Sequence, residues 1–337
     1  MKKKILIFML VLITLSGCNS MRTQAIVSKR DMKPRLIQTT SGQVDEITKE
    51  CIPSVVAISS TTENYQSVGS GVCVAEKGLI VTNYHVVSGA NKIFLYLADG
   101  TICGAKLLWK DKSLDIALLK SEIELPWLSI AKEGSYNIGE EVIAIGTPLD
   151  LNFKHSVTKG VISATNRTLQ IDGDNGYSSM AHLLQHDASI NPGNSGGPLL
   201  NKKGEIIGIN TVKVEDAEGM GFAIVCDTIE PVIKNFTKGN IQKTGYLGVF
   251  GYDASLEDFG SKSYGLKIVS IDRNSPLNYF DVSKGDIITK INNKKVKNYI
   301  SLKKELYSHK QGDTVELEIL SNDRYQTIKV DLIETPN

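Results

Sequence analysis

The chain has 337 residues, 41% of them hydrophobic and 22% charged, with a formal net charge of +1. That composition is ordinary for a folded globular protein, and the length calls for about two domains. The near-zero charge excludes the basic footprint of a nucleic-acid binder and supplies no field to steer a strongly acidic partner.

The N-terminus differs from the rest. Lys2, Lys3 and Lys4 precede an apolar run over residues 5–15, broken only by Thr14. The run is shorter than the roughly 20 residues a bilayer span requires and suits the apolar core of an export signal. It ends in Leu15-Ser16-Gly17-Cys18, which resembles the lipobox of bacterial lipoproteins. That resemblance implies cleavage after residue 17, a lipid on the Cys18 thiol, and an envelope protein facing the periplasm or the cell exterior. An ordinary signal peptide with a chance cysteine, or an uncleaved anchor, are the competing readings. Residues 18–43 are polar and read as a flexible tether. Cys51, Cys73, Cys103 and Cys226 remain. An exported protein could pair them as disulfides; their wide spacing contains no CxxC, so no metal or redox motif is present, and buried free thiols are the favoured reading.

Residues 44–236 show short Val- and Ile-rich runs separated by Gly, Asn, Asp and Lys. Runs at 54–59, 71–75, 79–82, 92–97, 105–109, 116–119, 141–145, 160–164, 198–200 and 205–210 predict the short strands of a barrel or sandwich. Helices are expected at 44–51 and 227–236. A polar linker at 237–243 leads to a second unit at 244–335. There strands are expected at 266–271, 286–291, 314–320 and 326–332, with helices at 275–280 and 299–308: a small α+β module.

Amide hydrolysis needs a nucleophile, a base, a group that orients the base, and donors for the oxyanion. Asn191-Pro192-Gly193-Asn194-Ser195-Gly196-Gly197-Pro198 offers a serine in a turn that glycine makes possible. Gly193, Asn194 and Ser195 are the candidate oxyanion segment. Thr82-Asn83-Tyr84-His85-Val86-Val87 puts a histidine at a strand end as the candidate base. Asp115, immediately before the apolar run at 116–119, is placed to hold that imidazole. Asp111 is its rival, but Lys110 and Lys112 flank it and a solvated turn suits it better. His182 and His186 have the i, i+4 spacing of a zinc helix, yet Leu183 stands where that motif needs Glu, so they read as structural. No cofactor or metal is called for.

The order His, Asp, Ser is that of chymotrypsin-like barrels. TNYHVV, DIALLK and GNSGGPLLN, with Gly69-Ser70-Gly71, Ala144-Ile145-Gly146-Thr147-Pro148, Ile206-Ile207-Gly208-Ile209-Asn210-Thr211 and Gly221-Phe222-Ala223-Ile224, resemble the HtrA (Deg) family of envelope serine proteases across residues 50–335. The resemblance implies a mainly β protein: a chymotrypsin-like double β-barrel protease domain followed by a small α+β PDZ domain. It implies a triad of His85, Asp115 and Ser195 and a substrate pocket built by Ser189, Ile190 and Ile209. With no acid at Ser189, small or medium aliphatic side chains are expected there. Asn194 cannot form the zymogen ion pair, so activation is expected through ordering of loops at 149–155 and 166–179. Tyr246-Leu247-Gly248-Val249 is the expected carboxylate-binding segment of the PDZ domain. The expected partners are unfolded or misfolded proteins, C-terminal peptides, further copies in a homotrimer, and a membrane through the lipid anchor; nucleic acid is not among them. The rival reading is a non-catalytic peptide-binding chaperone, and an esterase would share the chemistry.

Overall fold

The structure, a computed structural model, describes residues 35–37, 42–132, 134–147, 155–173, 176–213, 219–239, 244–254 and 264–334. Cys18 and residues 149–154 lie outside them. Helix α1 (Val44–Cys51) forms where the sequence predicts it: Asp45 and Glu46 complement its N-terminal dipole, and Ile47 and Cys51, one turn apart, are buried. Ahead of it, Leu36–Ile37 pairs in parallel with Trp127–Leu128. Part of the segment read as a tether is therefore a strand on the folded body.

Six strands close the first barrel: β1 (Val55–Thr61), β2 (Gln66–Ala75), β3 (Leu79–Thr82), β4 (Lys92–Tyr96), β5 (Ile102–Asp111) and β6 (Ile116–Ser121), in the order β1-β2-β3-β6-β5-β4. Val56, Ile58, Ile80, Leu95 and Leu119 fill its interior. The four-residue helix α2 (Tyr84–Val87) follows β3 directly. Six more strands close the second barrel: β7 (Glu141–Gly146), β8 (Ser156–Gly173), β9 (Gly176–His186), β10 (Pro198–Leu200), β11 (Ile206–Lys213) and β12 (Gly221–Val225), in the order β8-β9-β12-β11-β10-β7. In each closed ring every strand is hydrogen-bonded to a neighbour on both sides over part of its length.

The stretch 166–179, expected as a loop, is instead the distal part of the β8–β9 hairpin, with Leu169 opposite Met180 and Gly173 opposite Gly176. The backbone of this stretch is paired strand to strand, and Leu169 packs against the core. Three register shifts in that ladder mark bulges.

A 3-10 turn at Cys226–Ile229 and helix α3 (Glu230–Thr237) lead out of the second barrel. The C-terminal sheet has the order β13 (Val249–Asp253), β14 (Leu266–Ile271), β15 (Ile287–Ile291), β16 (Thr314–Ser321) and β17 (Arg324–Asp331). Helix α4 (Tyr299–Leu306) packs beside it. Its start is set by a reciprocal capping box: Asn298 accepts from the Ser301 amide while Ser301 accepts from the Asn298 amide. The helix expected at 275–280 is a single 3-10 turn, Pro276–Tyr279, capped by Ser275. Cys51, Cys73, Cys103 and Cys226 are all free and buried. Burial pushes the Cys51 and Cys73 thiols up to about 12, so neither is a reactive thiolate at neutral pH. Among the described residues no helix is long and apolar enough to cross a membrane.

Candidate active site

His85 lies in α2, and Asp115 in the turn between β5 and β6. Asp115 has φ +54°, a left-handed conformation that Asp tolerates better than most residues. Its backbone carbonyl accepts from the Tyr84 amide at 3.1 Å and from Asn83 Nδ2 at 2.9 Å. The carboxylate takes three further bonds: Oδ1 from the His85 amide at 2.9 Å, Oδ2 from His85 Nδ1 at 2.7 Å, and Oδ2 from Thr211 Oγ1 at 2.9 Å. A carboxylate on Nδ1 selects the tautomer with its proton there and leaves Nε2 to accept. Half of the His85 side chain is solvent-exposed against 16% of Asp115. The acid is enclosed and the imidazole edge is open.

Ser195 comes from the second barrel, in the turn between β9 and β10. Its carbonyl accepts from the Ser70 amide at 2.9 Å, tying the turn to β2 of the first barrel. Ser70 also donates through Oγ to the Gly193 carbonyl at 2.8 Å and accepts from the Thr147 amide at 2.8 Å. Gly193 has φ +101° and Gly196 φ +84°. A Cβ on Gly196 would lie 2.2 Å from the Ser70 carbonyl oxygen, so the barrels can approach this closely only with glycine there. Asn194 is buried, and its Nδ2 reaches the Ser189 carbonyl at 3.4 Å. The Ser195 hydroxyl donates to the Thr211 carbonyl at 2.9 Å. In this conformation it rests on Thr211 rather than on the imidazole.

Thr211 therefore touches both halves: its hydroxyl holds Asp115 and its carbonyl holds Ser195. Reading the sequence assigned it no role, although it sits inside the Ile206–Thr211 block that carries part of the family resemblance. Of the three residues read as a substrate pocket, Ser189 is exposed, whereas Ile190 is 5% and Ile209 0% exposed. The two isoleucines pack in different core clusters, Ile209 with the group containing Phe222 and Ile224, Ile190 with Leu184 and Ala223. They are not brought to one surface. His186 is fully buried, and the His182 side chain lies outside the described residues. Among the described residues no three His, Cys, Asp or Glu side chains could hold a metal.

Asp111 is the residue the sequence reading placed differently. It is 6% exposed, not solvated. Oδ1 accepts from the Ser113 amide at 2.8 Å, the Ser113 hydroxyl at 2.5 Å and the Leu114 amide at 3.2 Å, shaping the turn that ends in Asp115. Oδ2 accepts from Lys303 Nζ at 2.9 Å and the Tyr307 hydroxyl at 2.5 Å, both from the C-terminal unit. Burial alone would push this carboxyl up; the Lys303 ammonium and the bonds from Ser113, Tyr307 and Lys303 outweigh it and hold the pKa at about 2. Sequence could not reveal this, because the partner lies 192 residues away. Asp111 also lines a cavity with Tyr246–Val249 and α4, in which only about 10 Å³ remains open, room for about one water. Gly248 has φ +70°, and the Leu247 carbonyl accepts from Ser275 Oγ.

Residues 69–209 match the family model described as a trypsin-like peptidase domain, and residues 206–332 match a PDZ domain. The second match begins within β11, a strand that belongs to the second barrel in the structure. The Serine protease Do-like HtrB of Bacillus subtilis (strain 168) is 33% identical over 332 residues, covering 87% of this chain and 71% of that protein. The Serine protease Do-like HtrA of the same organism is 35% identical over 322 residues, covering 90% and 71%. Among solved structures, the serine endoprotease from Yersinia pestis is 31% identical with a TM-score of 0.61, covering 88% of this chain and 99% of that one. Another, the HtrA-type protease AlgW with tripeptide, is 28% identical with a TM-score of 0.65, covering 86% of this chain and 97% of that one. With a trypsin-like double barrel, a PDZ domain and Do-like relatives aligned over most of its length, this chain belongs to the HtrA family of serine proteases.

Proposed function

We propose that this protease cleaves peptide bonds within unfolded or misfolded envelope proteins through a triad of Ser195, His85 and Asp115. The observation that carries the reading is the hydrogen-bonded line Asp115–His85 from the first barrel, joined by Thr211 to Ser195 of the second. In catalysis the Ser195 hydroxyl turns from the Thr211 carbonyl to His85 Nε2. Nε2 takes the hydroxyl proton as Oγ bonds to the substrate carbonyl carbon. The amides of Gly193 and Ser195, with Asn194 between them, face the oxyanion. Collapse of that adduct breaks the C–N bond, and the amine departs with the proton from Nε2. Water then repeats the sequence on the acyl ester and frees Ser195.

Ser189 carries no charge, which favours small aliphatic P1 residues over Lys or Arg. The PDZ cavity supports regulation by C-terminal peptides. Asp111 sits against Lys303 there, so an entering terminal carboxylate competes with it for the same cation. The same carboxylate builds the turn that presents Asp115, which links peptide binding to the active site. Cys18 is the proposed lipid attachment, and a homotrimer the proposed assembly.

The test is labelling with an active-site fluorophosphonate together with degradation of unfolded casein. Both are expected in the wild type and lost in Ser195→Ala. If wild type and variant are equally inert with a C-terminal peptide added, the peptide-binding chaperone reading replaces this one.

A further inference from the structure

Ser70 lies in β2 of the first barrel and is fully buried. Its polar atoms engage the segments that carry the candidate active site. The amide donates to the Ser195 carbonyl at 2.9 Å, and the carbonyl accepts from Thr82 Oγ1 at 2.6 Å, at the end of the strand that leads to His85. The hydroxyl oxygen accepts from the Thr147 amide and donates to the Gly193 carbonyl, both at 2.8 Å. A hydroxyl carries one proton and rotates to suit its partners. With the Thr147 amide already on the oxygen, that proton goes to Gly193. The approach needs bare backbone on the facing turn: a Cβ on Gly197 would lie 3.2 Å from Ser70 Cβ.

The peptide unit between Gly193 and Asn194 is thereby held at both ends, its carbonyl by Ser70 and its N–H by the Asn191 carbonyl at 3.0 Å. A peptide unit is planar, so these two bonds fix its plane. Among the described residues the amides on either side, those of Gly193 and Ser195, donate to no protein group. Two unused donors flanking one pinned unit are what an oxyanion site requires. Gly193, at φ +101° and without a Cβ, has little restraint of its own against turning. The restraint comes from Ser70, across the boundary between the barrels.

We propose that Ser70 is a positioning residue for the protease reaction: its hydroxyl pins the Gly193 carbonyl and so keeps the Gly193 and Ser195 amides aimed at the oxyanion. The proposal rests on the reading of Ser195 as nucleophile. Ser70 touches no reacting atom; it acts through the turn it holds. Without the hydroxyl, the Gly193 carbonyl and the Thr147 amide both lose a buried partner, and the turn relaxes toward other acceptors and donors. The substrate still binds, because the donors matter only once charge develops on its carbonyl oxygen. The loss therefore falls on kcat and leaves KM nearly unchanged.

The experiment measures kcat, KM and the affinity for a peptide boronic acid in wild type, Ser70→Ala and Ser70→Cys, with a thermal melt of each. The boronate adduct on Ser195 carries an oxygen in the oxyanion position, so its affinity reports on the donors directly. Ser70→Ala is expected to lower kcat and boronate affinity together by about 10- to 100-fold, with KM within about twofold of wild type. Ser70→Cys, a weaker donor in nearly the same place, should fall between the two. A purely structural role would lower the melting temperature but leave kcat and boronate affinity of the folded protein at wild-type values, and that result overturns the proposal. Should Ser70→Ala fail to fold, the test passes to Ser70→Cys; wild-type kcat and boronate affinity there overturn it equally. Loss of fluorophosphonate labelling in the wild type would instead sink the reading of Ser195, a separate outcome.

Discussion

Thr211 joins Asp115 to Ser195 through one residue, its hydroxyl on Asp115 Oδ2 and its carbonyl under Ser195 Oγ. A hydrogen bond to a charged group contributes about 1.5–3 kcal/mol. Thr211→Val is therefore expected to lower kcat/KM by about 10- to 100-fold, with Thr211→Ser close to wild type, in steady-state peptide assays. His186 supplies a second residue-scale prediction. Burial pushes its pKa down, and Asp187, Asn210 and the Ala188 backbone pull it back only to about 4, below the ordinary 6.5. Between those values the unfolded chain binds a proton that the folded chain does not, so stability rises with pH across that window. Acidification from pH 6.5 to 4 should remove about 3 kcal/mol of stability through this group. Urea midpoints measured across that range should fall in the wild type and flatten in His186→Phe. Asp111 acts lower: with its folded pKa at about 2 against an ordinary 3.8, its contribution is complete above pH 3.8 and is lost as pH falls toward 2.

At the scale of elements, α4 is the piece that binds the C-terminal unit to the barrels. Consecutive lysines reach in two directions, Lys303 to Asp111 at the end of β5 and Lys304 to Asp227 just beyond β12, at 2.9 and 2.7 Å. The first pair is almost fully enclosed, 7% and 8% exposed, whereas Lys304 is 24% exposed. Tyr299 adds a bond from its hydroxyl to Ser113, and Trp109 Nε1 donates to Thr244. Breaking one partner of an enclosed pair leaves the other charge uncompensated, a loss of about 3–5 kcal/mol, and Asp227, 7% exposed, would be stranded in this way as Asp111 would. Hydrogen exchange over Tyr299–Leu306 is thus expected to accelerate in both Lys303→Ala and Lys304→Ala. No acceleration in either would mean that the helix is held by its apolar face alone.

At the scale of the whole molecule, the PDZ cavity and the protease turn share one carboxylate. With Asp111 in place the cavity is nearly filled, so on the proposed reading a peptide that needs Lys303 would bind only the fraction of molecules in which the units had separated. Apparent affinity is reduced by that fraction. Asp111→Asn keeps an acceptor for Ser113 and Leu114 but removes the charge opposite Lys303. It is expected to tighten binding of a peptide with an apolar C-terminus by about tenfold, read by fluorescence anisotropy. Small-angle scattering should show a larger radius of gyration for the variant than for the wild type. Unchanged affinity and size would separate the cavity from the docking contact.

Local pattern was enough for much of this protein. Strands such as Leu79–Thr82, Pro198–Leu200 and Leu266–Ile271 were legible from their apolar runs alone, because short strands buried on a barrel or sheet wall declare themselves by composition. The candidate site was legible too, since His85, Asp115 and Ser195 each sit in a short block whose glycines or neighbouring strand dictate the local geometry. The distal part of the β8–β9 hairpin was not, because its glycines and polar residues read as a loop while its strand pairing is set by the partner strand. Nor were the roles of Thr211 and Asp111. Each depends on a group distant in the chain: Asp115 for Thr211 and Lys303 for Asp111. Asp111 between two lysines looks solvated in sequence, and only the docking of α4 buries it. Residue type and spacing determined what chemistry this chain can perform and already pointed to Asp115 as the partner of His85; the tertiary structure decided which carboxylate joins the protease to its PDZ domain, because burial and pairing are properties of the folded whole.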